Sequence, residues 1–189
     1  MDKELQSVLI KIAKALNAPD ILWSVGASLL LEQYSLVDNP TDIDITASIN
    51  DIRFIDNKLS ALGEKQKENE SELYSTDYFY EYIIDGINVD VMAGLKINLR
   101  EGIYEYKFDK ESVPHSFKID NTQIPFSTLE EWYILYQLMP AKKGKVTVIE
   151  SYFKINGIQY PGLLHRMADS PSLPEQIKSK ISALIANSI

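Results

Sequence analysis

Apolar residues recur at helical spacing from Leu5 through Val8, Leu9, Ile12 and Ala13 to Leu16, which predicts an amphipathic helix ended by Pro19 and Asp20. A hydrophobic strand over 21–25 follows, then a small-residue turn and a helix from Ser28 to about Tyr34. Asp38-Asn39-Pro40-Thr41 is a turn. Residues 42–47 alternate polar and apolar, as a half-buried strand does. Asn50 or Asp51 caps a helix reaching Leu62, with Gly63 just past its end. The charged stretch 64–72 reads as a loop or strand edge. Two β-rich runs, 78–84 and 87–92, flank Asp85-Gly86, a strong hairpin signal. Residues 97–108 and 116–126 read as shorter β segments, with His115 in a loop beside Pro114.

From there the periodicity is helical. Ser127-Thr128-Leu129-Glu130 has the form of a capping box and opens a very apolar helix through Leu138, broken by Pro140. Residues 143–155 form another helix, stopped by Asn156-Gly157, and two short helices cover about 163–168 and 174–186. This order predicts an α+β fold: a mixed β-sheet flanked by helices, followed by a C-terminal helical portion. Residues 1–122 form the core and 123–189 the helical portion, which can pack with the core as one unit.

Composition narrows the function. The chain of 189 residues has no cysteine, which excludes a disulfide framework and a thiolate metal site. Its formal net charge of −8 disfavours extended nucleic-acid binding, which relies on Lys and Arg neutralising phosphates. The N-terminus lacks the basic and apolar regions of a signal peptide, and the longest apolar run, around 21–31, is too short to span a membrane. The expectation is a cytoplasmic protein with no membrane partner.

The candidate chemistry lies in two strands. Alternation puts Asp42 and Asp44 on one face and Ile43 and Ile45 on the other. Neighbouring carboxylates repel unless a cation sits between them. Magnesium is typically held by one or two carboxylates plus substrate phosphates. Upstream, Gly26 lets the backbone approach a phosphate, Ser28 offers a hydroxyl, and the helix start offers free N–H groups. Asp90 stands between Val89 and Val91, where a lone acid is costly without a partner. Asp42 and Asp44 also fit a solvated sheet face, and Asp90 an edge-strand charge.

Gly26-Ala27-Ser28 followed by Asp42-Ile43-Asp44, with Val89-Asp90-Val91 as the third acidic strand, resembles the signature of the nucleotidyltransferase superfamily, the polymerase-beta-like fold. The likeness is closer to the minimal lincosamide-type and antitoxin-type members than to polymerases. Two features depart from the pattern: Ala27 stands where Gly or Ser is usual, and the gap to Asp42 is long. The resemblance implies Asp42, Asp44 and Asp90 as catalytic and metal ligands for Mg2+, with a two-ion site. Gly26, Ser28 and Lys143 would hold the nucleoside triphosphate; Lys143 belongs to the basic cluster Lys142, Lys143, Lys145, which also reads as a solvated helix start. The implied reaction moves an NMP, AMP in the first instance, from an NTP to an acceptor hydroxyl on a small molecule, protein or tRNA, releasing pyrophosphate. The alternatives are a weak or inactive antitoxin-like regulatory protein with a protein partner, and a magnesium-dependent phosphohydrolase. Trp132 and Tyr136 read as packing residues or as a stacking surface for a base. Tyr78, Tyr80 and Tyr82 share a strand face and read as packing or, with Glu68, Glu70, Glu72, Asp77 and Glu81, as an acidic aromatic surface for a cationic acceptor.

Overall fold

The computed structural model describes residues 1–67 and 71–186. Its centre is a seven-stranded mixed sheet. In chain order the strands are β1 (Trp23–Val25), β2 (Asp42–Ala47), β3 (Glu64–Lys65), β4 (Tyr78–Ile84) and β5 (Ile87–Ala93). After a separate hairpin, β6 (Lys96–Leu99) and β7 (Gly102–Glu105), come β8 (His115–Ile119) and β9 (Thr122–Phe126). The large sheet runs β3-β4-β5-β2-β1-β9-β8. β2 and β5 are parallel and in register from Asp42↔Asn88 to Ala47↔Ala93. β9 joins β1 in parallel at Val25↔Phe126.

Alternation sorts the sheet into two faces. One carries Ile43, Ile45, Val89 and Val91, all fully buried. Across it lie α1 (Lys3–Leu16) and α3 (Ile52–Ser60). The α1 stripe from Leu5 to Leu16 is inaccessible, each large side chain contributing about 1.5–3 kcal/mol of burial. Asp2 caps α1 by accepting from the Glu4 amide. In α3, Asp56 accepts a 2.6 Å hydrogen bond from the Tyr82 hydroxyl, which fixes that helix on the Ile43 face because Tyr82 stands opposite Val89. The Asp85-Gly86 hairpin forms as expected, both residues at positive φ (49° and 84°), as a two-residue turn between twisted strands requires.

The other face carries the acids; α2 (Ala27–Gln33) packs there on β2 and against α4 (Leu129–Gln137), α5 (Lys143–Asn156) and α6 (Pro161–Ala168) pack on α4, and α7 (Glu175–Ala186) packs on α6. Their core is continuous with that of the sheet. The buried Ser24 and Ser127 hydroxyls, 2.7 Å apart, tie β1 to the start of α4. Arg166 of α6 bonds the fully buried Glu131 at 3.1 Å and reaches Asp109 at 2.9 Å, joining α4 to the segment after the β6–β7 hairpin.

Two details differ from the sequence reading. The α4 cap is shifted by one residue: Thr128 accepts from the Glu131 amide and donates to its carboxylate, while Ser127 is used up by Ser24. Either register satisfies the S/T-x-x-E pattern, and the tertiary contact decides. His115 lies in β8 rather than a loop, its ring stacked on Tyr160 and edge-on to Phe117.

Candidate active site

β1 ends at Val25, and the chain turns through Gly26 into α2. The Gly26 amide donates to the Asp44 carbonyl at 2.9 Å, which pins the turn beside β2. Gly26 is required here by a close approach: a Cβ would meet the Trp132 indole at 2.3–2.4 Å. Trp132, 3% exposed, therefore packs α4 against the turn and is not free for stacking on a base. Ala27 has φ 47°, a left-handed conformation that costs an alanine about 1 kcal/mol more than a glycine. Successive N–H groups in such a turn form an anion-binding concavity. Ala27→Gly is accordingly expected to raise the thermal midpoint by about 2 °C in a melting curve, by relieving that strain.

Facing the turn is the acidic row. Asp44 pairs with Asp90 across β2 and β5, and Asp90 pairs with Glu81 across β5 and β4. These three carboxylates stand side by side on three adjacent strands, with Asp42 two residues before Asp44. Burial pushes the Asp44 carboxyl up to about 7, with the charges of Asp42 and Asp90 adding to the rise. Asp90 is pushed up to about 6 by burial and by Glu81 and Asp42. Lys145 and Lys142 offset part of the rise at Asp44, and carboxylates that repel one another in this way mark a place for a cation. Among the described residues no group of three or more acidic or imidazole side chains forms a ready-made metal cage. The donor set nevertheless suits magnesium, whose ligands are oxygens and which takes part of its coordination from substrate phosphates and water.

A cleft of about 950 Å³ opens over these residues. Ala27, Ser28, Asp42, Asp44 and Asp90 form its floor, and Tyr136, Met139, Lys142 and Lys145 one wall. Lys145 donates to the Ser28 hydroxyl at 2.8 Å and is half-buried, its ammonium pushed down by burial and by Lys142. Lys143 is exposed and outside the cleft lining, whereas Lys142 and Lys145 are in it. The reason is helical geometry: positions three apart share a face, and Lys143 is turned away from both. Spacing of three within the basic cluster is the signal that identifies the inward pair.

The opposite lip is the segment 71–77. Strand-like bonds hold it to β6 and to the turn before it: Asn98 N–H donates to the Leu73 carbonyl at 2.8 Å and Asp77 N–H to the Gly94 carbonyl at 3.1 Å. Tyr74, Thr76, Tyr78 and Tyr80 line the cleft there, but Tyr82 is buried and spent on Asp56. Lys65 sits 3.3 Å from the centre of the Tyr80 ring. Asp77 is paired with Lys96 at 2.5 Å. Glu68 and Glu70, expected to join an acidic surface here, lie outside the described residues.

The carboxylates carry a pH dependence. Carboxyls that titrate near 7 and 6 in the fold and near 3.8 when unfolded bind protons more tightly in the folded state. Stability must then fall as pH rises through the window from about 4 to 7. The metal-free protein is expected to melt a few degrees higher at pH 5 than at pH 8. Added Mg2+ should raise the midpoint more at pH 8, where the acids are ionised. Equal Mg2+ effects at both pH values in a thermal-shift series would contradict this.

A mixed seven-stranded sheet with acids on adjacent strands and flanking helices is the nucleotidyltransferase fold, so the fold that the motifs led us to expect is the one observed. The chain is similar to a protein from Thermotoga maritima described as a "putative nucleotidyltransferase", with 27% identity, a TM-score of 0.63, and coverage of 82% of this chain and 94% of that one. The antibiotic-resistance factor ANT(2'')-Ia shares the fold at 14% identity and a TM-score of 0.57, covering 98% and 95%. The lincosamide antibiotic adenylyltransferase LnuA, solved with lincomycin bound, does so at 14% identity and a TM-score of 0.51, covering 80% and 97%. No family model matches the chain, and neither does the sequence of any curated protein. No helix among the described residues is long and apolar enough to cross a membrane.

Proposed function

We propose that the protein transfers a nucleotidyl group, AMP in the first instance, from a nucleoside triphosphate to a hydroxyl of a small-molecule acceptor. The observation that carries this reading is the row Asp44–Asp90 on adjacent strands, facing the Gly26–Ser28 turn across one cleft. Asp42 and Asp44 would hold Mg2+, with Asp90 as a second-ion ligand or proton acceptor. The metal supplies charge neutralisation at the attacking and leaving oxygens of an in-line displacement.

The chain's own residues do the rest. The amides of the turn and the Ser28 hydroxyl receive the triphosphate. Lys145 and Lys142 offset its charge from the opposite wall, with Lys145 already bonded to Ser28. Asp90, raised towards neutrality, is suited to take the proton of the attacking hydroxyl. The acceptor oxygen attacks the α-phosphorus, the bond to the bridging oxygen breaks, and pyrophosphate leaves.

The choice of a small acceptor rests on the cleft. Its volume falls in the range of small-molecule sites, and the lip opposite the lysines is mainly aromatic, with Asp77 neutralised by Lys96. ANT(2'')-Ia has been solved with adenylyl-2''-tobramycin, and LnuA with lincomycin, which supports AMP transfer and a small acceptor as the first choices to test.

The test is a screen of small hydroxyl acceptors with each of the four NTPs, reading pyrophosphate release. Asp90→Asn is expected to reduce the turnover found by at least about 100-fold while leaving nucleotide binding within a few-fold. Full turnover in that variant would remove Asp90 from the mechanism. NTP breakdown that ignores every acceptor would point to hydrolysis instead.

A further inference from the structure

The two sides of the cleft differ in chemistry. The sheet order β4-β5-β2-β1 puts the Gly26–Ser28 turn at the β1–β2 side, and Lys145 joins it there through Ser28. A triphosphate held by these groups leaves the β5–β4 side for the second substrate. On that side the acid face turns apolar. Strand alternation places Met92 two residues beyond Asp90, and Phe79 two residues before Glu81, on the face those acids share. Phe79 and Met92 are direct cross-strand partners, and both line the cleft partly exposed.

Phe79 is the side chain the fold itself does not use. Tyr78, Tyr80 and Met92 pack against the hydrophobic core, whereas Phe79 is outside it and meets no other aromatic ring among the described residues. Aromatic side chains left open inside a cleft are the usual lining of a small-molecule site. Tyr74 closes the patch from the lip. It pairs with Ile97 in an antiparallel bridge, and such partners point to the same side. Ile97 is fully buried, so Tyr74 is turned inward over the cleft. Burial, and then the charge of Asp44, hold its phenol up, as expected for a ring sharing that cavity. On this side of Asp90 the one charged lining residue among those described is Asp77, and it is paired with Lys96.

We propose that the cleft holds its acceptor by a flat apolar ring system, laid on Phe79 and Met92 and covered by Tyr74, with the reacting hydroxyl at the ring's edge beside Asp90. This rests on the transfer reading above and names its acceptor class: an aromatic or fused-ring alcohol rather than a polycationic sugar. The ring takes Phe79 and Met92 out of water, and ring-on-ring contact with Phe79 and Tyr74 fixes its plane. That orients the hydroxyl towards the acid row, where attack on the α-phosphorus takes place and Asp90 accepts the proton. A polyamine would find no unpaired carboxylate lining this side, since Asp77 already has its cation.

The test begins with binding, which needs no turnover. The full chain is titrated with naphthylmethanol, whose ring fluoresces, and so is Phe79→Ala. The variant is expected to bind the ring at least about tenfold more weakly while its affinity for ATP with Mg2+ stays within about twofold. If Phe79→Ala does not fold, Tyr74→Ala removes the cover from the other side and should weaken binding in the same direction. In the transfer assay naphthylmethanol should exceed glucosamine at least about tenfold in kcat/KM, and Phe79→Ala should raise its KM with kcat within about threefold. The proposal is overturned if no saturable binding occurs, if Phe79→Ala binds the ring as the wild type does, or if glucosamine is the better acceptor. Ring binding that Phe79→Ala loses, with pyrophosphate released to no acceptor, would uphold the apolar platform and count against nucleotidyl transfer instead.

Discussion

Asp44→Asn is expected to yield a protein that melts higher than the wild type without metal and has lost nucleotidyl transfer. Both effects come from one carboxylate. Asp44 is partly buried on the cleft floor beside Asp42 and Asp90, and its carboxyl is pushed up to about 7 by that burial and those charges. Neutral asparagine keeps the shape and removes the repulsion, a gain of about 1 kcal/mol or 2–4 °C at pH 8. The same change strips a metal ligand from the proposed site, and transfer should fall by at least about a thousandfold. Magnesium-dependent binding of the triphosphate should be lost in calorimetry. The combination is diagnostic, since a purely structural carboxylate would lose stability when replaced. A drop in midpoint at pH 8, or retained turnover, would overturn the assignment of Asp44.

Much of this arrangement is legible in the chain because it follows local periodicity. The period of two in Asp42–Ala47 and Ile87–Ala93 fixes which residues share a face, and the Asp85-Gly86 turn fixes the β4–β5 register. Asp42, Asp44 and Asp90 therefore come together as expected once β2 and β5 pair. The missing parts depend on contacts between distant segments. Ser127 against Ser24 moves the α4 cap by one residue. The direction of α5 across Ser28 brings Lys145, not Lys143, to the cleft. Tyr74 reaches the cleft only because the lip is bonded to β6, through residues with no strand pattern of their own. Gly26 is the instructive case. Read in sequence, it makes room for a phosphate; in the fold, its missing Cβ makes room for the Trp132 ring.

That contact sets the largest stability effect expected from a single methyl group. Gly26→Ala would place a Cβ 2.3–2.4 Å from three atoms of the Trp132 indole, distances no packed carbon tolerates. Trp132 cannot simply swing aside, because it is buried against Tyr136, with the ring centres 5.2 Å apart. The backbone conformation is no obstacle: Gly26 has φ −130°, extended geometry open to alanine. The cost is therefore overpacking, about 3 kcal/mol, or roughly 6–12 °C in the thermal midpoint. Relief must also displace the Ala27–Ser28 turn or α4, so triphosphate affinity should fall with stability. A double variant separates the causes. Gly26→Ala with Trp132→Leu removes the ring the Cβ would strike, and should be more stable than the sum of the two single changes predicts. Strict additivity would mean that the Trp132 contact is not what excludes a side chain at position 26.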